Sequence, residues 1–187
     1  GPGPHTGGWY DISLDGTLRN YAGINAQGAG AARGGQRMLI APWFHHPWSP
    51  QTGEVNFGPT AGSRIVDETQ IRFYNWILKG QDDGISQEPP VKLFVMGENV
   101  WRYEHEWPLA RTQFTPYYLH SQGSANSLAG SGSLSPEPPG AEPPDHYDYD
   151  PEHPVPTLGG NNSTWTWMQF AAEPVYPGHI TQRPPQR

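Results

Sequence analysis

One segment constrains this chain more than any other. Residues 63–79 (SRIVDETQIRFYNWILK) step Ile65, Thr69, Phe73 and Ile77 four apart along one face, widened by Val66 and Trp76. Lys79 sits in the last turn and Gly80 follows at a natural C-cap position, so the spacing predicts a helix that ends there. Beyond Gly80 the texture changes. Gln81, Asp82, Asp83 and Gly84 are polar and turn-forming, and Pro89-Pro90 introduce Val91-Lys92-Leu93-Phe94-Val95-Met96, a strand pattern. Further short strands are expected at 115–120 (TPYYLH) and 146–149, spaced by proline and glycine. That is the rhythm of a β-sandwich rather than of βαβ units. Residues 121–145, rich in Ser, Gly, Pro and Glu, read as a mobile surface loop.

The part before the helix reads as mixed α/β. Leu14, Leu18 and Tyr21 predict a short helix over 13–22, and a Gly/Ala-rich loop covers 26–35. Arg37-Met38-Leu39-Ile40-Ala41 stops at Pro42 as a buried strand would. Gly1-Pro2-Gly3-Pro4-His5-Thr6 carries two prolines and two glycines, a composition that argues against a central strand. The expected order is α/β followed by β, with a first domain over 1–85 and a second over 86–187.

Composition removes several function classes. Lys and Arg number 11 against 18 Asp and Glu, a net charge of −7 with no basic block, which disfavours nucleic acid. No apolar run approaches the roughly 18 residues of a membrane span, and the first residues lack a basic region followed by an apolar one. No membrane anchor is expected, and a cytoplasmic location is favoured over secretion. The absence of cysteine excludes disulfide scaffolds, cysteine nucleophiles and cysteine–zinc sites. Gly (23) and Pro (22) approach the range of disordered chains, but 8 Trp, 9 Tyr and 6 Phe argue for a loop-rich folded protein.

Two spots could carry chemistry. Gly7-Gly8-Trp9-Tyr10-Asp11 sets a carboxylate in a Gly-led turn just before a helix, and Ala41-Pro42-Trp43-Phe44-His45-His46 sets histidine just after an apolar strand. Reactive side chains gather at the carboxyl ends of strands in open α/β sheets. Asp11 before His45 also matches the order of acid and base in α/β-hydrolases. By spacing alone the bland readings stay open: an N-capping aspartate and a structural histidine beside aromatics.

The chain resembles the family of cocaine esterase, α-amino-acid ester hydrolases and Xaa-Pro dipeptidyl-peptidases. GGWYD, the run Leu39-Ile40-Ala41-Pro42-Trp43-Phe44-His45 and Phe73-Tyr74-Asn75-Trp76-Ile77-Leu78-Lys79-Gly80 resemble successive segments at the end of its hydrolase domain. PVKLFVMGENVWR from Pro90 and Glu106-Trp107-Pro108-Leu109 resemble the opening of its jelly-roll domain. Tyr149-Asp150-Pro151 and PVPTLGGNN from Pro154 continue the likeness. The resemblance implies the C-terminal part of an α/β-hydrolase domain joined to an incomplete, galactose-binding-like jelly roll. It aligns Asp11 with the triad acid and His45 with the triad base, with His46 the rival. It also implies a small acyl ester or peptide substrate in the full-length parent, acyl-enzyme chemistry, and no cofactor.

The nucleophile is missing from these residues. The family's serine lies in a G-x-S-x-G elbow, and no serine here has glycine at both −2 and +2. Ser131 and Ser133 sit in a Gly/Ser-rich loop, and nothing stands in for the oxyanion-hole donors. A His–Asp pair cannot run acyl transfer alone, so the isolated chain is expected to be inactive. A fragment would leave Trp9, Trp43 and Trp48 partly exposed. The alternative is a non-catalytic β-sandwich binding module over 90–187.

Other signals are weaker. Asp145-His146-Tyr147-Asp148-Tyr149-Asp150-Pro151-Glu152-His153 is dense in acids and histidines but lacks EF-hand spacing, and reads as a solvated polar strand edge. Asn161-Asn162-Ser163-Thr164 holds two overlapping glycosylation sequons. Trp101, Tyr103 and Trp107 read as sandwich core in preference to a sugar-binding face. Gly28-Ala29-Gly30-Ala31-Ala32-Arg33 is Gly-rich but follows no strand, so no phosphate loop is expected.

Overall fold

The structure, a computed structural model, describes residues 1–153 apart from 46–48, 54, 63 and 128. The described residues form two compact units, one spanning Gly1–Ala110 and one beginning at Arg111.

In the first unit, β1 (Gly3–Gly8) is followed by α1 (Leu14–Gln27) and β2 (Gln36–Ala41). A small antiparallel ladder of β3 (Gln51–Thr52) and β4 (Val55–Asn56) precedes α2 (Ile65–Lys79), and the hairpin of β5 (Val91–Val95) and β6 (Val100–Glu104) closes the unit. The main sheet has the order β1-β2-β5-β6, parallel across its first three strands and antiparallel at β6.

A parallel strand covered on both faces reads as a near-continuous apolar run, and β2 does from Met38 to Ala41. Its Leu39 and Ala41 face a cluster with Trp43, Phe57, Ala61, Phe94 and the α2 residues Ile65 and Val66. Met38 and Ile40 face the opposite cluster, with Val91, Leu93 and Tyr21 of α1, flanked by Leu14 and Leu18. The helix expected over 63–79 begins two residues later than predicted and ends where Gly80 predicts. Gly80 takes φ 67°, its N–H donates to Trp76 O, and the next amide donates to Asn75 O, so two otherwise orphaned carbonyls are satisfied. The helix expected over 13–22 runs on to Gln27.

Residues 3–8 form a strand despite Pro4 and the glycines, and it is not a central one. It lies at the sheet edge, and the Trp9 amide donates to Ala41 O at 2.8 Å just past its end. Alternation then puts Pro4 in the set whose nitrogens point away from β2, where a missing N–H breaks no ladder bond. One expectation is corrected: Trp43 is 1% exposed and its indole N–H donates to Ala61 O, so it is not left bare. Trp9 is half-buried, its indole bonded to Phe94 O, and Trp48 lies outside the described residues. Val91–Val95 pairs in parallel with β2, so one sheet runs across residue 85. Trp101 and Trp107 accordingly pack on this sheet, against Trp43 with Phe94 and against Trp9 respectively.

In the second unit, β7 (Tyr118–His120) pairs antiparallel with β8 (Ser133–Ser135). β7 forms only the last half of the strand expected over 115–120. β8 lies inside the stretch read as loop, and residues 146–149 form no strand. The sequons at 161–164 lie outside the described residues. No helix among the described residues is long and apolar enough to cross a membrane.

Candidate active site

The carboxyl ends of β1 and β2 lie side by side, and each strand hands over to a loop that carries one candidate residue. Past Gly8 the chain follows its neighbour: the Trp9 amide donates to Ala41 O (2.8 Å) and the Tyr10 amide to Trp43 O (3.0 Å). The Asp11 amide then donates back to Gly8 O at 3.0 Å, closing a turn that aims the Asp11 side chain toward the β2 loop.

Asp11 and His45, 34 residues apart in sequence, meet there. His45 Nδ1 lies 3.1 Å from Asp11 Oδ1. Asp11 is 9% exposed, whereas the His45 side chain is 45% exposed. The same Oδ1 accepts the Ser13 backbone N–H at 2.8 Å, at the start of α1. That bond is an Asx turn ahead of the helix and not an N-cap: the N-cap residue of α1 is Ser13, which makes no side-chain cap bond. A carboxylate near a helix N-terminus is also favoured by the partial positive charge of the unpaired amides. With Nδ1 directed at an acceptor, the neutral imidazole carries its proton on Nδ1 and leaves Nε2 a proton acceptor. Among the described residues no side chain is bonded to Nε2.

The β2 loop is held from behind. Thr52, 1% exposed, donates its hydroxyl to Pro42 O at 2.6 Å, and the Trp43 indole donates to Ala61 O at 2.6 Å. The sequence gives no sign of Thr52's part, because its contact spans ten residues and a loop. Gly8 is visible only as the second glycine of GGWYD. His46, the rival to His45, lies outside the described residues.

The other candidates take no part in this site. Ser131 and Ser133 belong to the second unit, where Ser131 Oγ accepts from the Gln122 amide and the Ser124 hydroxyl. Asp145 accepts from the Ser121 hydroxyl (2.8 Å) and the Ala125 amide (2.6 Å), and Asp150 pairs with His153. Among the described residues, no three His, Asp or Glu side chains are grouped to hold a metal ion. Residues 28–33 form the end of α1 and a short 3-10 turn.

The described first unit is thus an α/β arrangement with a parallel sheet and an acid–histidine pair at neighbouring strand ends. Residues 83–182, just over half of the chain, match the family model of the X-Pro dipeptidyl-peptidase C-terminal non-catalytic domain. The chain belongs to that cocaine-esterase and X-Pro dipeptidyl-peptidase family. It is 38% identical over 157 residues to cocaine esterase of Rhodococcus sp. (strain MB1 Bresler), covering 83% of this chain and 26% of that protein. It is 35% identical over 89 residues to two proteins provisionally named serine esterases, from Mycobacterium bovis and Mycobacterium tuberculosis. Those matches cover 46% of this chain and 13% of each relative. The chain thus spans about a quarter or less of the relatives it matches, and the family is one of hydrolases.

Proposed function

We propose that this chain is part of a serine hydrolase of the esterase or X-Pro dipeptidyl-peptidase type, acting on a small acyl ester or peptide. Asp11 is its triad acid and His45 its triad base, and the serine and oxyanion hole lie outside the 187 residues. The observation that carries the reading is the 3.1 Å contact between Asp11 and His45 Nδ1, made at the ends of neighbouring parallel strands.

In such an enzyme, His45 Nε2 takes the serine proton as the hydroxyl attacks the carbonyl carbon. The collapsing tetrahedral intermediate expels the alcohol or amine, which His45 protonates, leaving an acyl-enzyme. Water then repeats the sequence and releases the acid. Asp11 holds the tautomer and stabilises the imidazolium without itself being protonated. These steps draw on no metal or organic cofactor.

The division of labour we propose follows the sequence. Residues 1–85 close an α/β-hydrolase domain, and residues 86–187 open the non-catalytic jelly-roll domain, whose first hairpin shares the hydrolase sheet. The test uses the chain extended upstream to include a G-x-S-x-G segment. Turnover of an activated ester should vanish with His45→Ala and fall by about 10⁴ in kcat with Asp11→Asn. The 187-residue chain alone should show none.

The description of residues 83–182 as a non-catalytic domain supports a second reading, in which the β-rich part serves only as a binding module. Turnover by the extended protein that ignores both substitutions would favour it.

A further inference from the structure

The distance between Asp11 and His45 is set by backbone, and one glycine decides it. A Cβ built on Gly8 would lie 2.0 Å from Trp43 O, 2.6 Å from its carbonyl carbon and 3.1 Å from its Cα. Contacts below 3.0 Å do not occur for real Cβ atoms, and backbone cannot swing aside as a flexible side chain does. Trp43 also has nowhere to retreat. It is 1% exposed, its indole is bonded to Ala61 O, and the preceding carbonyl is held by the buried Thr52 hydroxyl. Asp11 lies three residues beyond Gly8, and His45 two beyond Trp43.

We propose that Gly8 and Thr52 are positioning residues for the acid–base pair. Gly8 lets the Asp11 turn close on the Trp43 backbone, and Thr52 braces that backbone from the opposite side. Neither touches the imidazole or the carboxylate. The inference rests on the reading of Asp11 and His45 as acid and base, and it names what holds them at bonding distance.

Gly7 provides the control. A Cβ there would meet only side chains, Ile40 Cδ1 and Thr17 Cγ2 at 3.3 Å, which can yield. Gly7→Ala and Gly8→Ala therefore make the same chemical change in the same strand, with a backbone collision in only one.

The experiment reads the tautomer of His45 in the 187-residue chain from its imidazole ¹⁵N shifts, above the titration of the ring. Wild type and Gly7→Ala should show the Nδ1–H form. Asp11→Asn should lose it, because the amide N–H₂ can face Nδ1 and favour Nε2–H. Gly8→Ala, while still folded by circular dichroism, should lose it to the same extent as Asp11→Asn. A folded Gly8→Ala that keeps the Nδ1–H form overturns the positioning role and leaves the acid–base reading standing. A wild-type tautomer indifferent to Asp11→Asn overturns the pairing itself, and both readings with it. If Gly8→Ala does not fold, Thr52 decides. Thr52→Val should lose the Nδ1–H form and Thr52→Ser should retain it, whereas a folded Thr52→Val with the wild-type tautomer overturns the proposal.

Discussion

The two units reach order by opposite means. In the first, most of the described buried apolar side chains, from Tyr21 to Phe94, pack in two clusters on the faces of one sheet. In the second, the large apolar side chains point outward: Leu119 and Leu134 are 81% and 64% exposed. Polar side chains do the gathering there. Glu142 accepts from the Ser121 amide (2.8 Å) and meets His120 Nδ1 at 2.6 Å, while His120 Nε2 reaches Glu137 O at 3.0 Å. A Pro- and Gly-rich stretch thus takes a defined course with no buried apolar side chain among its described residues, by capturing its backbone with carboxylates and a histidine. The consequence is a different sensitivity. The first unit depends chiefly on buried volume and the second on polar ties.

The largest effect should come from the first unit's core. Phe94, 1% exposed, packs edge-on against Phe57 and Trp101. Phe94→Ala should destabilise that unit by about 3–5 kcal/mol, seen as a loss of denaturation midpoint followed by tryptophan fluorescence. The same change should leave amide exchange in 118–135 nearly untouched. If both units melt together, the comparison fails.

A smaller effect should come from pH, and its alkaline limb belongs to the second unit. Both His120 nitrogens face acceptors, so both bonds form only when the ring is protonated. Glu142 holds the His120 pKa above the usual histidine range. The Ser121 amide first, and then His120, hold Glu142 below the usual carboxylate range. A histidine raised on folding contributes fully below its unfolded pKa of about 6.5 and loses that contribution as pH rises through the folded value. A glutamate lowered on folding contributes above about 4.3 and loses that as pH falls through its folded value. Exchange at the Ser121 amide, corrected for intrinsic rate, should be slowest between those limits and quicken on either side. His120→Gln should flatten the alkaline limb, and the amides of β2 should not follow it.

The smallest effect should come from the second unit's apolar side chains. Leu134→Ser should change stability within about 0.5 kcal/mol, because an exposed leucine buries little on folding. A loss comparable to that of Phe94→Ala would reveal burial of this face.

What the sequence made legible follows the same contrast. The helix ending at Gly80 and the buried run before Pro42 were readable because period and capping are local. The pairing of Asp11 with His45 rested on chain order and on resemblance, since a 34-residue separation leaves no periodic trace. The prolines and glycines of β1 excluded a central strand, and the strand they do form is at the edge, a position no local pattern gives. β8 and the polar ties of 121–145 were invisible for another reason: Ser, Glu and His at irregular spacing look the same whether they bind backbone or water. The role of Gly8 required the position of Trp43, which no local pattern gives.

The central claim is that Asp11 and His45 are two members of a triad whose serine precedes them in the same protein. The most direct measurement is the coding sequence immediately upstream of Gly1. The account predicts a continuous open frame encoding an apolar strand, G-x-S-x-G and a helix. A stop codon followed by a start at or near Gly1 would contradict it, leaving a histidine and an aspartate with no nucleophile to serve.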